Sequence, residues 1–313
     1  MRLISFVIPC YRSEKTISEV VREIELVMAS HTDDSYEIIL VNDCSPDNTI
    51  GVLKRIVDEN SNVTVIDMTK NFGQHAALMA GIRQSKGDIV VCLDDDGQTP
   101  PLEVYKLIDK LCDFDVCYAS YDEKKHSLFR NWGSRVNDKM LEIMLDKPKK
   151  LYASSYFAMK RYVVDEVAKY ENPYPYIMGL VLRTTNSITS STVNHRARKY
   201  GKSGYSISKL LSLWINGFTA FSVKPLRIAS LMGAISSIIG VGFSIWAVLN
   251  KFTNPLAPLG WTTLIIVLLI LGGTILFVLG LLGEYVGRIY ISINNSPQYV
   301  IKNIYNKESK NNI

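Results

Sequence analysis

Over its first hundred residues the chain alternates short apolar runs with amphipathic ones. "LISFVIPCY" (3–11) is apolar and β-branched, and "TISEVVREIELVMAS" (16–30) repeats its apolar positions at helical spacing. The same pairing recurs with "YEIILVND" (36–43) and "NTIGVLKRIVDEN" (48–60), then "VTVIDM" (63–68) and "GQHAALMAGIRQS" (73–85), and a fourth strand follows at "DIVVCLDDD" (88–96). Strands apolar on both sides belong in a parallel sheet covered by helices. The pattern predicts an α/β domain with a doubly wound, mostly parallel sheet. Such sheets bind ligands outside the carboxyl ends of their strands. Polar residues gather there: Pro9 to Glu14, Asn42 to Asp47, Asn71 to Gln74 and Asp94 to Gln98.

The pattern changes near Pro225. After Arg227 no charge occurs until Lys251, and after Lys251 none until Glu284. The two intervals hold "IASLMGAISSIIGVGFSIWAVLN" (228–250) and "WTTLIIVLLILGGTILFVLGLLG" (261–283), each long enough to cross a bilayer as a helix. Just before them Ile207, Leu210, Leu211, Trp214, Phe218 and Phe221 share one helical face, which predicts an amphipathic interfacial helix over 205–225. A second stripe of this kind, Phe129, Trp132, Val136, Met140 and Ile143, marks 129–144. The expected organisation is a cytoplasmic domain (1–204), the interfacial helix, a pair of spans (226–285) and a cytoplasmic tail (286–313), of which "NKESKNNI" (306–313) reads as a short polar end.

Charge sets the orientation. The chain has 313 residues and a net charge of +5. Lys224 and Arg227 precede the first span, Arg288, Lys302, Lys307 and Lys310 follow the second, and the connection carries Lys251 alone. Basic flanks stay on the cytoplasmic side, so the large domain and both termini are expected there. The apolar start is too short for a secretory signal and runs straight into Arg12 and Glu14. Five cysteines without CxxC spacing read as small buried apolar residues in a reducing compartment.

Three adjacent aspartates, Asp94, Asp95 and Asp96, close the fourth apolar run. Like charges so placed call for a cation. No GxGxxG follows a strand, and "GKSG" at 201–204 lacks both a preceding strand and the earlier glycine of a phosphate loop, where Arg196 stands. A phosphate-binding site without a glycine loop can instead use a divalent metal. Strand alternation puts Asp94 and Asp96 on one side, and with Gln98 they offer the oxygen donors that Mg²⁺ or Mn²⁺ prefers.

Taken in order, "VIPCYRSE", "VNDCSPDNT", "NFGQHAALMAGI" and "DDDGQTPP" resemble the motifs of family 2 glycosyltransferases with the GT-A fold. With two C-terminal spans, the chain is similar to polyprenyl-phosphate glycosyltransferases such as dolichol-phosphate mannose synthases and bactoprenol glucosyltransferases. The resemblance implies an inverting, metal-dependent transfer of a hexosyl or N-acetylhexosaminyl group from a nucleotide diphosphate sugar, UDP being the commoner bacterial donor, to undecaprenyl phosphate. The setting it implies is the cytoplasmic face of a bacterial inner membrane, in cell-envelope glycan synthesis, with a homotetramer as in relatives and no nucleic acid as partner. It assigns Pro9, Tyr11, Glu14, Asn42, Asp43, Asn71, Gln74, Asp94 and Asp95 to the nucleotide sugar, and Asp94, Asp96 and Gln98 to the metal. It assigns Arg130, Ser134, Arg135 and Lys202 to the acceptor phosphate, and Asp96, Arg198 and Ser155 to catalysis; Gly201 and Ser203 match the loop that carries Arg198.

The chain departs from the family pattern in three places. Asn42 stands where an acid is usual, Gly97 and Thr99 alter the acidic loop, and Ser155 and Phe157 occupy positions where relatives carry an aspartate and an arginine. An alcohol acceptor would need the missing base, but a phosphate acceptor is already ionised. Positioning and charge stabilisation can then carry the transfer. Two other readings exist, a processive polysaccharide synthase and a non-enzymatic scaffold. The chain has no QxxRW motif and few spans for a pore, which disfavours the first; the acids at 94 and 96 disfavour the second.

Overall fold

The computed structural model describes residues 1–121, 139, 142, 147–149, 151–152, 154–194, 196, 223–253, 260–294 and 296–307. The chain divides into two compact units, one of Met1–Ile207 with Asn295–Ile313 and the other of Ser208–Asn294.

In the first unit the described residues form one sheet from β1 (Leu3–Cys10), β2 (Ser35–Asn42), β3 (Val63–Met68), β4 (Ile89–Cys92), β5 (Val116–Ser120), β6 (Phe157–Lys160), β7 (Ile188–Thr192) and β8 (Ile301–Tyr305). Their order is β7-β5-β6-β4-β1-β2-β3-β8. Strand β6 runs antiparallel to β4 and β5, and β8 runs antiparallel to β3, while the other pairings are parallel. The helices of this unit are α1 (Ile17–Ala29), α2 (Thr49–Glu59), α3 (Gln74–Gln84), the single turn α4 (Tyr105–Ile108), α5 (Arg161–Ala168) and α6 (Ile177–Thr184). The expected doubly wound sheet is present, with antiparallel strands at β6 and at the β8 edge.

Side-chain alternation along β1 explains why helices cover both faces. Ile4, Phe6, Ile8 and Cys10 join the core built with α1, α2 and α4. Val7 faces the opposite way, onto α3, and the approach is close enough to require glycine at position 81. A Cβ there would lie 2.3 Å from Val7 Cγ1.

Three expectations need correction. Strand β4 stops at Cys92, short of the expected end at Asp96, so the three aspartates lie in a turn and strand alternation does not orient them. The ladder runs as far as the Leu93 N–H to the Val7 carbonyl; Pro9, next on that side of β1, has no N–H to continue it, and the Tyr11 N–H beyond goes to the Asp95 carboxylate at 3.0 Å. Residues 301–305, placed in the tail after the spans and outside the domain, add β8 to the sheet, and the Arg83 guanidinium helps seat that segment by donating to Tyr299 Oη at 3.1 Å. Cys10, Cys92 and Cys117 are buried as expected, but Cys44 and Cys112 are exposed, all five being free thiols.

The second unit contains α7 (Lys224–Thr253), of 30 residues, and α8 (Trp261–Ile293), of 33. At 1.5 Å per residue these are about 45 and 50 Å long, more than a hydrocarbon core of about 30 Å demands. Both expected spans lie inside them. Ile238, Ile239, Leu268, Leu276 and Phe277 turn outward, an apolar surface suited to lipid. The interfacial stripe from Ile207 to Phe221 falls outside the described residues, as does 129–144 apart from Lys139 and Glu142, which are helical.

Candidate active site

Sheet order departs from chain order at several points, one of them beside β1. From β1 the chain moves outward through β2 to β3, then returns to place β4 on the other side of β1. The crevice outside the carboxyl ends of β1 and β4 is therefore the switch point where such sheets bind ligands. The aspartate turn opens there.

The three aspartates have separate partners. Asp94 Oδ1 accepts from Gln74 Nε2 at 2.8 Å, and its Oδ2 accepts from Ser155 Oγ. Burial pushes the Asp94 carboxyl up to about 7, with Asp96 and Asp95 adding to the rise against those two hydrogen bonds. Asp95 Oδ2 accepts from the Tyr11 N–H and from Ser13 Oγ, and burial raises this carboxyl as well. Asp95 thus ties the end of β4 to the loop after β1. Asp96, half-buried, accepts the Gln98 N–H at 3.0 Å through Oδ1, and Gly97 beside it adopts φ +71° to complete the turn.

The loop after β2 is built on Asn42 and Asp43, both buried. Asn42 Nδ2 donates to Asp67 Oδ1 at 2.7 Å, while its Oδ1 accepts the Ser45 N–H at 3.2 Å. The amide at 42 suits this pair: an aspartate there would set two buried carboxylates together. Asn42→Asp should therefore cost about 2 kcal/mol of stability, as unpaired buried charge does, and Asp67→Asn in the same chain should restore most of it. Thermal melts of wild type and the two variants check this; a double variant no better than Asn42→Asp would refute the pairing. Asp43 accepts the N–H groups of Phe72 at 2.7 Å and Gly73 at 2.9 Å, so it holds the loop leading into α3. Burial raises its carboxyl, and those two bonds oppose the rise.

The other assigned residues lie around the same rim. Pro9 pairs with Val41 in the β1–β2 ladder, Glu14 Oε2 accepts the Asn48 N–H at 3.4 Å, and Tyr11 and Asn71 are exposed. Gln98 pairs with the backbone of Arg196 in both directions, its Nε2 reaching the Arg196 carbonyl at 3.3 Å. Arg130, Ser134, Arg135, Arg198, Gly201, Lys202 and Ser203 lie outside the described residues. The structure also adds residues that the sequence reading passed over: Ser13, Ser45, Asp67 and Arg196, the last bridged to Glu23 at 2.5 Å. Ser13 and Ser45 carried one usable signal, being small hydroxyl residues directly after strands.

The donor set fits a divalent ion. Asp94 holds a buried carboxyl beside two like charges, and only neutral groups, Gln74 and Ser155, donate to it. A hard cation between Asp94 and Asp96 would offset that charge. Among the described residues no cluster of three His, Cys, Asp or Glu side chains forms a closed protein cage. An open site of two carboxylates leaves room for substrate oxygens, as Mg²⁺ and Mn²⁺ sites with phosphates do.

Comparison with known proteins agrees with this geometry. The family described as "Glycosyl transferase family 2" matches residues 5–168, and "GtrB C-terminal hairpin" matches 224–289. The chain is 32% identical over 311 residues to an uncharacterised glycosyltransferase of Bacillus subtilis strain 168, YkcC, covering 98% of this chain and 95% of that one. It is 31% identical over 316 residues to the undecaprenyl-phosphate 4-deoxy-4-formamido-L-arabinose transferase of Yersinia pestis strain Pestoides F, covering 100% and 96%. Glucosyl-3-phosphoglycerate synthase of Mycobacterium tuberculosis shares the fold at 18% identity, with a TM-score of 0.51 over 70% of this chain and 81% of that chain. A structure of that synthase with Mn²⁺, UDP and phosphoglyceric acid superposes with the same TM-score over 68% and 74%, at 20% identity. The switch-point crevice with its acidic turn, the matched motifs around it and the near full-length relatives lead to one conclusion: this chain is a membrane protein of glycosyl transferase family 2.

Proposed function

We propose that the protein transfers a sugar from a nucleotide diphosphate sugar to the phosphate of a polyprenyl lipid, with inversion at the anomeric carbon. The observation that carries this reading is the buried Asp94 carboxyl at the β1/β4 crevice, paired with Asp96 in an open acidic turn. The relatives named as undecaprenyl-phosphate transferases supply the acceptor class, and the solved neighbour holding Mn²⁺ and UDP supplies a precedent for the donor. The donor in this reading is a UDP-sugar.

A lipid phosphate oxygen bonds to the anomeric carbon while the bond from that carbon to the diphosphate breaks, releasing the nucleoside diphosphate. The acceptor is ionised before it reacts, so no proton has to leave it in the transition state. When bound, a divalent ion would neutralise charge on the departing diphosphate. Asp94 and Asp96 would hold that ion, with Gln98 fixing the turn. Gln74 and Ser155 orient the Asp94 carboxylate from two sides. Arg198 would face the diphosphate, and Arg130, Ser134, Arg135 and Lys202 would meet the acceptor phosphate. Both ends of the α7–α8 pair connect to the same sheet-bearing unit, which supports two crossings with that unit and both termini on the cytoplasmic side.

Ser155 is a hydrogen-bond donor to Asp94 in this scheme and not a base. Ser155→Ala should lower turnover by no more than about tenfold, the scale of one hydrogen bond of about 1 kcal/mol. A loss of a hundredfold or more with nucleotide binding intact would show that the hydroxyl takes part in the chemistry. The reaction itself is tested by mass spectrometry of lipids after incubating the purified protein with undecaprenyl phosphate, Mg²⁺ or Mn²⁺ and a panel of sugar nucleotides. A lipid product heavier by one hexose or N-acetylhexosamine, and absent with EDTA, is expected. No product from any donor would refute the reading.

A further inference from the structure

Arg196 has no task in the transfer scheme, yet its contacts run in a line toward the acidic turn. Its N–H donates to the Gln98 carbonyl at 3.1 Å, and Gln98 Nε2 donates back to the Arg196 carbonyl at 3.3 Å. Gln98 in turn gives its own N–H to Asp96 Oδ1 at 3.0 Å. At the other end the Arg196 guanidinium reaches α1, where it donates to Glu23 Oε1 at 2.5 Å. One side chain thereby joins a core helix to the turn that carries Asp96.

The turn needs an anchor of this kind. Gly97 adopts φ +71°, and a Cβ added there would meet nothing within 4 Å, so packing does not confine the turn on that side. The ion pair is also better sheltered than a surface pair, which contributes little. The Glu23 side chain is only 13% exposed, and its Oε2 is buried with no hydrogen-bond partner among the described residues. Glu23, Asp96 and Arg196 line one small pocket with Glu19, and Arg196 is the one cation among the described residues lining it. Removing either member of such a pair leaves the other charge without compensation.

The segment leading to Arg196 is fixed separately. The Val193 N–H donates to the Ser120 carbonyl at 2.8 Å, and Asn194 donates to Glu103 through its N–H at 3.0 Å and its Nδ2 at 2.5 Å. Loss of the Arg196 side chain therefore loosens the turn without unseating the end of β7.

We infer that Glu23 and Arg196 are positioning residues for a divalent cation: the pair sets the Asp96 carboxylate through Gln98, and neither side chain touches the ion or the substrate. This rests on the glycosyl-transfer reading above and deepens its account of the acidic turn.

The test is a double-mutant cycle on the full-length protein in detergent, with Glu23→Ala, Arg196→Met and the two combined. Mn²⁺ binding in the presence of UDP is read by electron paramagnetic resonance, and hydrogen–deuterium exchange of residues 94–98 is read in EDTA. Each single variant should weaken Mn²⁺ about tenfold, the scale of one charge-assisted hydrogen bond. Each should also speed amide exchange across the turn in the metal-free protein, with the thermal midpoint unchanged. The combined variant should lose no more than either single one, because both changes break the same contact. Arg196→Lys should restore most of the affinity, since one N–H makes the contact to Glu23. Unchanged Mn²⁺ affinity and exchange in both single variants would overturn the inference. So would a loss confined to Arg196→Met, which would make the guanidinium a direct contact with substrate, or losses that add in the combined variant. If wild type binds Mn²⁺ and UDP and forms product, those outcomes leave the glycosyl-transfer reading standing. A wild type that binds neither and transfers no sugar would overturn that reading and this inference with it.

Discussion

Asp96→Asn should lower sugar transfer about a thousandfold while leaving the protein folded. The substitution removes one negative charge from a two-carboxylate site, and an amide oxygen is a weaker ligand for a hard divalent ion. A loss of about 4 kcal/mol of transition-state stabilisation corresponds to that factor. The fold should tolerate it because the structural duty of Asp96 is to accept the Gln98 N–H, which an asparagine Oδ1 can still do. The measurement is turnover with saturating sugar nucleotide and Mg²⁺ beside a thermal melt. Turnover within tenfold of wild type would move the ion away from this turn. Loss of the melt itself would show that Asp96 serves the fold.

Asp43→Ala should have the largest effect on stability. Both carboxylate oxygens hold backbone N–H groups at the entrance to α3, and removing them leaves two donors in a buried loop without partners. Each such orphan costs about 1–3 kcal/mol, partly offset by relief of a buried charge, for a net loss of about 3 kcal/mol. The melting temperature should fall by about 6–12 °C for a domain of this size. UDP affinity should fall with it, because the same loop carries Asn71 and Gln74. Asp43→Asn should lie between the two, since one amide oxygen can accept but its NH₂ would oppose the second N–H. Equal stability of Asp43→Ala and wild type would mean that the loop holds its shape without the carboxylate.

Much of this site could be read from the sequence because doubly wound sheets bring strand ends together by construction. The polar segments after β1, β2 and β4 needed only chain order to be assembled, and Asp94, Asp96 and Gln74 do meet there. What escaped the sequence depends on partners distant in the chain. The Asn42–Asp67 pair spans 25 positions and links two strands, so neither residue announces the other. The left-handed turns at Arg12 and Cys44 carry no glycine to mark them. Strand β4 was read too long because Leu93 continues its apolar run, whereas Pro9 on β1 has no N–H to extend the ladder beyond it. Strand β8 was missed for a different reason: "IKNIY" is short, mostly exposed and without alternation that separates it from a polar tail.

That last strand has a consequence for how the protein is made. β8 pairs with β3, yet 232 residues separate the end of β3 at Met68 from the start of β8 at Ile301, and α7 and α8 lie between them. At synthesis rates of about 5–20 residues per second, the β3 edge stays open for roughly 10–50 seconds. The sheet closes only after both apolar helices have left the ribosome. Completion of the sheet is therefore a late event that follows synthesis of both apolar helices, and a chain stalled before that step leaves the β3 edge unpaired.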